Sequence, residues 1–264
     1  GWRVICLGRD QLRCEHARAE ILEQAASVDQ VVMIRADLAL LSDTARAAKE
    51  ISGIAGHVDV LLNNAGGLTK ERTITAEGNE YTFAGNHLGH FLLTRLLLPL
   101  LRAAAAGAPT GATRVINVSS AAHASCEGLD RDDVQMISNF SSTPAYCRVK
   151  LANLLFTREA ASRLAPDHIV VHAMHPGLVD SNFGSHGDDG MQSYLRARSD
   201  ASISPAVAAD TLVWLACAEE PGKTTGGYFF ERAAIAASAA ARDDAAAGWL
   251  WEESENLVRA WTRT

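Results

Sequence analysis

The sequence lacks the usual marks of a metal-binding, nucleic-acid-binding or membrane-spanning protein. Its five cysteines form no CxxC pair and no metal-site spacing, so we expect reduced thiols and no bound metal. A net charge of -7 without a basic run argues against nucleic acid as a partner. No stretch approaches the ~18 apolar residues of a transmembrane span, and no secretory signal peptide is visible. We therefore expect a cytoplasmic protein.

What the sequence contains is the pattern of one large α/β domain over residues 1–264, with 48% hydrophobic residues to build its core. Short β-branched runs predict strands over residues 3–7, 30–36, 58–63, 114–118, 168–174 and 227–230. Helices are predicted between them, over about 11–26, 42–55, 76–105 and 205–218. Another helix, which carries Tyr146 and Lys150, is predicted after a loop of about 25 residues and ends before Pro166. Strands that are apolar throughout indicate a doubly wound parallel sheet with helices on both faces.

Polar and glycine-rich segments follow the predicted strands, where ligands of parallel sheets bind. They are Arg9-Asp10, Asp37, Asn63-Asn64-Ala65-Gly66-Gly67, Ser119-Ser120 and Pro176-Gly177. Each segment taken alone is equally typical of an ordinary turn. Their order, one at each strand end, favours a ligand site at this edge of the sheet.

Tyr146 and Lys150 lie four residues apart on a predicted helix, so both side chains fall on one face. A free tyrosine titrates near pH ~10, and a neighbouring ammonium group lowers that pKa. The pair alone is also typical of a solvated helix face. The Ser119-Ser120 pair adds a hydroxyl that can donate to a substrate oxygen. Asn86 is a poor helix former inside a predicted helix, which indicates a bend or a polar role.

Together these segments resemble the short-chain dehydrogenase/reductase family, and most closely its retinol-dehydrogenase-like branch. The similarity covers nearly the whole chain and rests on NNAG (63–66), NHLGHFLLT (86–94), RVINVSS (114–120), AYCRVKLANLLFTREAASRL (145–164) and HPGLVDSN (175–182). It implies a Rossmann-like fold. It also implies hydride transfer between a nicotinamide cofactor and an apolar carbonyl or alcohol substrate, and a homodimer or homotetramer.

The resemblance also implies roles for individual residues. Tyr146 is the general acid or base and also contacts the cofactor. Lys150 lowers the pKa of Tyr146 and holds the cofactor ribose, Ser120 orients the substrate oxygen, and Asn86 positions a water beside Lys150. The remaining implied cofactor contacts are Asp37 and Leu38 at the adenine, Asn64, Ala65 and Gly66 along the adenosine and ribose, and Pro176, Gly177, Val179 and Ser181 at the nicotinamide.

Arg9 bears on the choice between NADP and NAD. An acidic residue at the end of this strand binds the ribose 2′-hydroxyl, whereas an arginine accommodates a 2′-phosphate. Arg9 therefore favours NADP, and the adjacent Asp10 leaves NAD open. His87 and His90 have metal-ligand spacing but no third ligand, so we expect no metal there.

The resemblance leaves one unit of the family unaccounted for. The family opens with a strand, a TGxxxGxG turn and a helix that hold the pyrophosphate, whereas residues 1–5 resemble its second strand. The first strand is central in the order 3-2-1-4-5-6. Without it the chain has to re-pair the flanking strands or borrow one, and dinucleotide binding is weakened. We expect a fragment of a longer protein or a natural truncation.

A truncation opens an alternative function. Such a chain would use Tyr146 and Ser120 for acid–base chemistry without a cofactor, such as isomerisation or cyclisation, or act only as a binding module.

Overall fold

The computed structural model describes residues 1–181, 183–184 and 187–262, and Asn182 of the HPGLVDSN motif lies outside them. The elements of this part are β1 Val4–Gly8, α1 Gln11–Leu22, β2 Val31–Arg35, α2 Leu41–Ile54, β3 Val60–Asn63, α3 Tyr81–Phe83, α4 Gly89–Ala106, β4 Arg114–Val118, α5 Ser142–Leu164, β5 Val170–Met174, α6 Asp189–Arg196, α7 Pro205–Cys217, β6 Tyr228–Phe230, β7 Ala233–Ala234 and α8 Asp244–Thr262. The predicted alternation of strands and helices is confirmed.

The strands form two sheet segments. β1 pairs with β2 in parallel, and the second segment has the order β3-β4-β5-β6-β7, with β7 alone antiparallel. Within the described residues, β1 and β3 exchange no backbone hydrogen bonds, so the flanking strands do not re-pair. Val4 on β1 and Leu62 on β3 remain 40% and 42% exposed. The strand order within each segment is therefore Rossmann-like, and the sheet is divided between β1 and β3.

The main core lies where α4, α5 and α8 cover β4 and β5. Every residue of β4 and β5 is buried, as expected of central parallel strands. Phe91 on α4 packs against Phe156 on α5 and Trp251 on α8, with ring centroids 5.5 and 5.0 Å apart. A smaller cluster beneath α7 buries Ile116, Val118, Met174, Leu215 and Phe229 on the opposite face of the sheet. Strand β4 therefore contacts packed layers on both faces.

The helix predicted over residues 76–105 begins only at Tyr81, and it is irregular at Asn86. The buried Glu80 carboxylate caps it by accepting from the amides of Thr82 and Phe83, at 2.9 and 2.8 Å. Residues Ala84–Leu88 form a π-helical turn. The Asn86 amide donates to the carbonyls of Thr82 and Gly67, at 2.7 and 2.8 Å. The predicted bend and polar role of Asn86 are both present.

The same helical segment has a property that the sequence analysis did not predict. Residues Tyr81–Ala106 form one helical stretch that is long and apolar enough, by length and composition alone, to cross a membrane. In the structure 61% of its most apolar window is buried inside the protein. This burial is what a core helix requires, because α4 packs against α2 and α8.

His87 and His90 are buried in the core, at 0% and 2% exposure. The His87 Nε2 atom lies 2.8 Å from Ser254 Oγ on α8, which links the two helices. Burial lowers the pKa of His87 to about 4 and that of His90 to about 3, from an ordinary 6.5. No cluster of three metal-ligating side chains occurs among the described residues. Both imidazoles are therefore neutral core groups at neutral pH.

We expect the two histidines to make the fold sensitive to acid. Between pH 6.5 and about 4 the histidines are protonated in the unfolded chain, but the buried imidazoles of the folded chain stay neutral. The free energy of unfolding therefore decreases as the pH falls. Each histidine contributes roughly 3 kcal/mol or more to this loss. His90→Gln keeps a hydrogen-bond donor but does not titrate. Its free energy of unfolding, measured in urea, should therefore decrease less steeply below pH 6.5 than that of the wild type. His57→Gln, at a side chain 61% exposed, is the control; equal slopes in all three proteins would contradict the prediction.

Candidate active site

The four residues with implied catalytic roles lie at the carboxyl end of β4. Ser120 begins the turn after this strand, Tyr146 and Lys150 lie one turn apart on α5, and Asn86 lies in the π-helical turn. Tyr146, Lys150 and Asn86 are 7%, 3% and 3% exposed, and Ser120 is half-buried. α5 reaches this position because it packs along β5 and against the turn 121–125.

Lys150 is held against the end of β4. Its Nζ atom donates to the Val118 carbonyl at 3.2 Å and lies 5.5 Å from the ring centroid of Tyr146. The Ser119 hydroxyl donates to the backbone carbonyl of Lys150 at 2.8 Å, which fixes this turn of α5 to the strand. Burial lowers the pKa of Lys150 to about 8, from 10.5.

The pKa of Tyr146 moves in the direction opposite to that expected from the sequence. Burial raises it to about 12, although a hydrogen bond with the Ser120 side chain offsets part of the rise. Desolvation dominates here because both groups are almost fully buried, and it also disfavours the Lys150 charge that was expected to stabilise a phenolate. In this state the Tyr146 phenol is a protonated donor at neutral pH.

A glycine forms the wall between Asn86 and Lys150. A Cβ atom added at Gly66 would lie 2.7 Å from Asn86 Oδ1 and 3.3 Å from Lys150 Nζ. Asn86 Oδ1 also accepts from the Gly67 amide at 3.1 Å, so it is not free to move away. Asn64, Ala65 and Gly66 are all exposed. The loop thus offers bare backbone beside Lys150, which fits the close approach of a ribose and its adenosine.

Arg9 and Asp37 meet at the other end of the proposed cofactor site. The Arg9 guanidinium donates to the Tyr81 hydroxyl, which in turn donates to Asp37 Oδ2 at 3.0 Å. The Arg35 side chain donates to the Arg9 carbonyl at 3.1 Å. Leu38 lies next to Asp37, half-buried, with its backbone against Gly89. An open groove of about 860 Å³ is lined by Arg9, Asp10, Arg35, Asp37 and Arg46 together with Met33, Ile34, Leu40, Asp43 and Glu50.

The segment after β5 carries the residues with implied nicotinamide contacts. Gly177 has φ +80°, a left-handed conformation that glycine adopts without strain. Pro176 and Val179 are half-buried, Val179 bridges to Ile203, and Ser181 is exposed. The structure thus brings Ser120, Tyr146, Lys150, Asn86 and Gly66 to one place and Arg9, Asp37 and Tyr81 to another.

Tyr81 is a residue of this site that the sequence analysis missed. It lies at the start of α3, directly before the π-helical turn, and touches both Arg9 and Asp37. Nothing in its local sequence marks it, because its partners are 72 and 44 residues away along the chain. Its proximity to Asp37 is a product of the topology.

The fold and this cluster define a Rossmann-like oxidoreductase. The chain belongs to the short-chain dehydrogenase family, since the family model described as "short chain dehydrogenase" matches residues 1–190. Human retinol dehydrogenase 13 is 35% identical over 264 residues, covering 98% of this chain and 77% of that protein. Mouse retinol dehydrogenase 14 is 33% identical, covering 98% and 79%. These relatives place the chain in the retinol-dehydrogenase-like branch.

Solved structures agree with this assignment. A putative uncharacterized protein from Mycobacterium paratuberculosis is 30% identical, with a TM-score of 0.67 over 98% of this chain and 85% of that one. The Pseudomonas aeruginosa RhlG/NADP active-site complex is 25% identical, with a TM-score of 0.64 over 86% and 84%. The family and these neighbours support a nicotinamide cofactor.

Proposed function

We propose that this chain is an NADP-dependent oxidoreductase for an apolar carbonyl or alcohol, with Tyr146 as its general acid or base. The observation that carries the proposal is the convergence of Ser120, Tyr146, Lys150 and Asn86 at one strand end, beside the bare backbone of Gly66. A bound nicotinamide supplies or accepts the hydride. The residues of the chain do the rest.

Each residue has a role that follows from its position. The Ser120 hydroxyl donates a hydrogen bond to the substrate oxygen as negative charge develops there. The Tyr146 phenol, protonated at neutral pH, gives that oxygen a proton in the reducing direction. Lys150, fixed by the Val118 carbonyl, presents its ammonium group beside Gly66, where a ribose would lie. Asn86 holds the loop that forms this wall and is placed to order a water beside Lys150.

The remaining contacts are proposed along the cofactor. Asp37 and Leu38 would hold the adenine, Asn64, Ala65 and Gly66 the adenosine ribose, and Pro176, Gly177, Val179 and Ser181 the nicotinamide. Arg9 would pair with a 2′-phosphate. The bond from Arg9 to the Tyr81 hydroxyl supports this role, because it holds the guanidinium beside Asp37 at the end of β1.

The preference for NADP gives a direct prediction. Arg9→Ser should lower the ratio of NADPH to NADH affinity by about 10–100-fold, because a charge-assisted contact to the 2′-phosphate is lost. Calorimetric titration with each cofactor measures the ratio. Arg18→Ser, at an exposed position on α1, is the matched control and should leave it unchanged. An unaltered ratio of NADPH to NADH affinity in Arg9→Ser would show that Arg9 does not contact the cofactor.

The proposed function is tested by mixing the purified chain with NADPH and a panel of apolar aldehydes and ketones. We expect NADPH to be consumed with at least one of them, and NADPH to bind in calorimetry. Absence of both binding and turnover, with either nicotinamide cofactor, would end the proposal.

A second candidate is acid–base chemistry by Tyr146 and Ser120 without hydride transfer, or a binding role alone. The division between β1 and β3 favours it, because Arg9 and Asn64 follow strands that share no hydrogen bonds. Isomerisation or cyclisation of an apolar carbonyl compound, unaffected by added NADPH, would support this reading over the first.

Assembly and location are further proposals. The family resemblance carries the expectation of a homodimer or homotetramer, and the reduced cysteines carry the expectation of a cytoplasmic location. Light scattering on the purified chain measures the first, and cell fractionation the second.

A further inference from the structure

A buried histidine follows Ser120 in the turn after β4. His123 belongs to the turn 121–125 and is 4% exposed. Its Nδ1 atom lies 2.8 Å from the Ser120 carbonyl oxygen, and its backbone amide donates to the same oxygen at 3.1 Å. Two groups of one residue therefore hold the Ser120 carbonyl.

The other nitrogen of the His123 ring contacts the chain beyond β7. His123 Nε2 accepts from the Ser238 amide at 3.1 Å, across 115 residues of sequence. A nitrogen that accepts from an amide carries no proton, so the proton of the neutral ring is on Nδ1 and is donated to the Ser120 carbonyl. The two contacts thus require the same tautomer, and the ring links the Ser120 turn to the segment that leads into α8.

The surroundings of His123 keep its imidazole neutral and in place. The Tyr228 ring meets it edge-on, with ring centroids 5.3 Å apart. Burial lowers the pKa of His123 from its ordinary 6.5, and the hydrogen bond with the Ser120 backbone offsets part of this fall. A protonated ring would direct an N–H group at the Ser238 amide, which is itself a donor. Because both nitrogens are engaged within the protein, neither is free to exchange a proton with a substrate.

The Ser120 hydroxyl depends on how the backbone around it is held. Its Oγ atom accepts from the Ala122 amide at 3.2 Å in the same turn and shares a hydrogen bond with the Tyr146 side chain. Directly before it, the Ser119 amide donates to the last residue of β5 at 2.7 Å. Directly after it, the His123 side chain holds the carbonyl. The backbone is therefore fixed on both sides of the hydroxyl.

We propose that His123 is a positioning residue for Ser120: its Nδ1–H holds the Ser120 carbonyl and so fixes the direction in which the Ser120 hydroxyl meets the substrate oxygen. This inference rests on the proposed function, in which that hydroxyl donates to the substrate oxygen as charge develops. Such donors are effective when they are already directed at the oxygen, and a misplacement of about 1 Å can cost ~10²-fold in rate. The rigid ring of a histidine meets this requirement, because it carries a donor and an acceptor at fixed positions.

Two amide substitutions separate the two contacts of the ring. In His123→Gln the side-chain oxygen can replace Nε2 and accept from Ser238, whereas the donor to Ser120 is lost. We expect the turnover number for reduction with NADPH to fall about tenfold, as a small misplacement of the hydroxyl would cause. In His123→Asn the side-chain nitrogen is bonded to Cγ, as Nδ1 is, so the donor to Ser120 is kept. Its turnover number should fall by no more than about threefold. NADPH affinity in calorimetry should be unchanged in both variants, because Ser120 acts on the substrate.

A double-mutant cycle with Ser120→Ala distinguishes positioning from a purely structural role. Ser120→Ala alone should lower the turnover number by about 10²–10³-fold. Once that hydroxyl is absent, His123→Gln should cause less than about a twofold further fall, because effects that act through one group are not additive. The effect of a structural role would instead multiply with the loss of the hydroxyl. His57→Gln makes the same chemical change at a side chain 61% exposed and should turn over as wild type does.

Losses that multiply in the double variant would overturn the inference, as would wild-type turnover in His123→Gln. His123→Asn as slow as His123→Gln would also overturn it. Each of these results would leave the oxidoreductase intact. His123→Met, which also lacks the donor to Ser120, replaces the glutamine variant in the cycle if that variant does not fold. Wild-type protein without turnover on either cofactor would end the proposed function and this inference together.

Discussion

Tyr146→Phe is expected to lower the turnover number by about 10²–10⁴-fold, the usual contribution of a positioned general acid or base. The substitution removes one oxygen and keeps the ring, which packs against Phe183 with centroids 5.0 Å apart. Cofactor affinity and the melting temperature should therefore change little. Steady-state turnover of NADPH with a reducible aldehyde measures the effect, and calorimetry with NADPH measures the affinity.

Two comparisons make this result decisive. Tyr194→Phe, at an exposed site on α6, should turn over as wild type does. If Tyr146→Phe retained turnover within about twofold of wild type, Tyr146 would not be the proton donor that general acid catalysis requires. The phenol would then need another explanation for its place beside Ser120 and Lys150.

Lys150→Met is expected to stabilise the protein at pH 7 by about 3 kcal/mol while lowering turnover by at least ~10²-fold. The wild-type fold buries an ammonium group whose pKa falls from 10.5 to about 8. Methionine of similar length removes that charge. The Val118 carbonyl does not become unpaired, since it also accepts from the Asn153 side chain at 3.3 Å.

The stability gain should depend on pH in a defined direction. Below pH 8 Lys150 is charged in both folded and unfolded chains, and the penalty is complete. Between pH 8 and 10.5 the unfolded chain binds the proton that the folded chain releases, so wild-type stability rises with pH. The advantage of Lys150→Met should therefore shrink over this window in urea unfolding. Lys49→Met, at an exposed position on α2, should show neither effect. A difference in free energy of unfolding between Lys150→Met and wild type that stayed constant from pH 7 to 10.5 would contradict this explanation.

The periodicity of the sequence predicts the central elements well because their burial is uniform. β4 matches its predicted range, and α5 ends before Pro166 as expected. β7 and α6 were not predicted, because two and eight residues carry too little pattern to separate from turns. α8 was missed for another reason. Its alanine-rich beginning suits a helix or a loop, and its inward face, with Leu250, Trp251 and Val258, is defined by packing against α5, α4 and α2.

In the candidate site, too, some features could be predicted from the sequence and others could not. Motifs identify Ser120, Tyr146 and Lys150 because the chemistry depends on residue type and local spacing. The direction of the Tyr146 pKa could not be predicted, since it depends on how completely the folded chain removes water from the phenol. The Arg9–Tyr81–Asp37 contacts could not be predicted either, because they join three distant segments.

The division of the sheet has a consequence for how copies of this chain behave when concentrated. β1 and β3 each present a row of backbone amides and carbonyls without a ladder on one side. Such rows are templates for strand addition by another molecule, and no proline or β-bulge blocks either strand in the part of the chain described. A net charge of -7 opposes close approach at low ionic strength, and salt screens that repulsion. These two short backbone edges are therefore available for strand addition by a second copy of the chain, and we expect higher ionic strength to favour it.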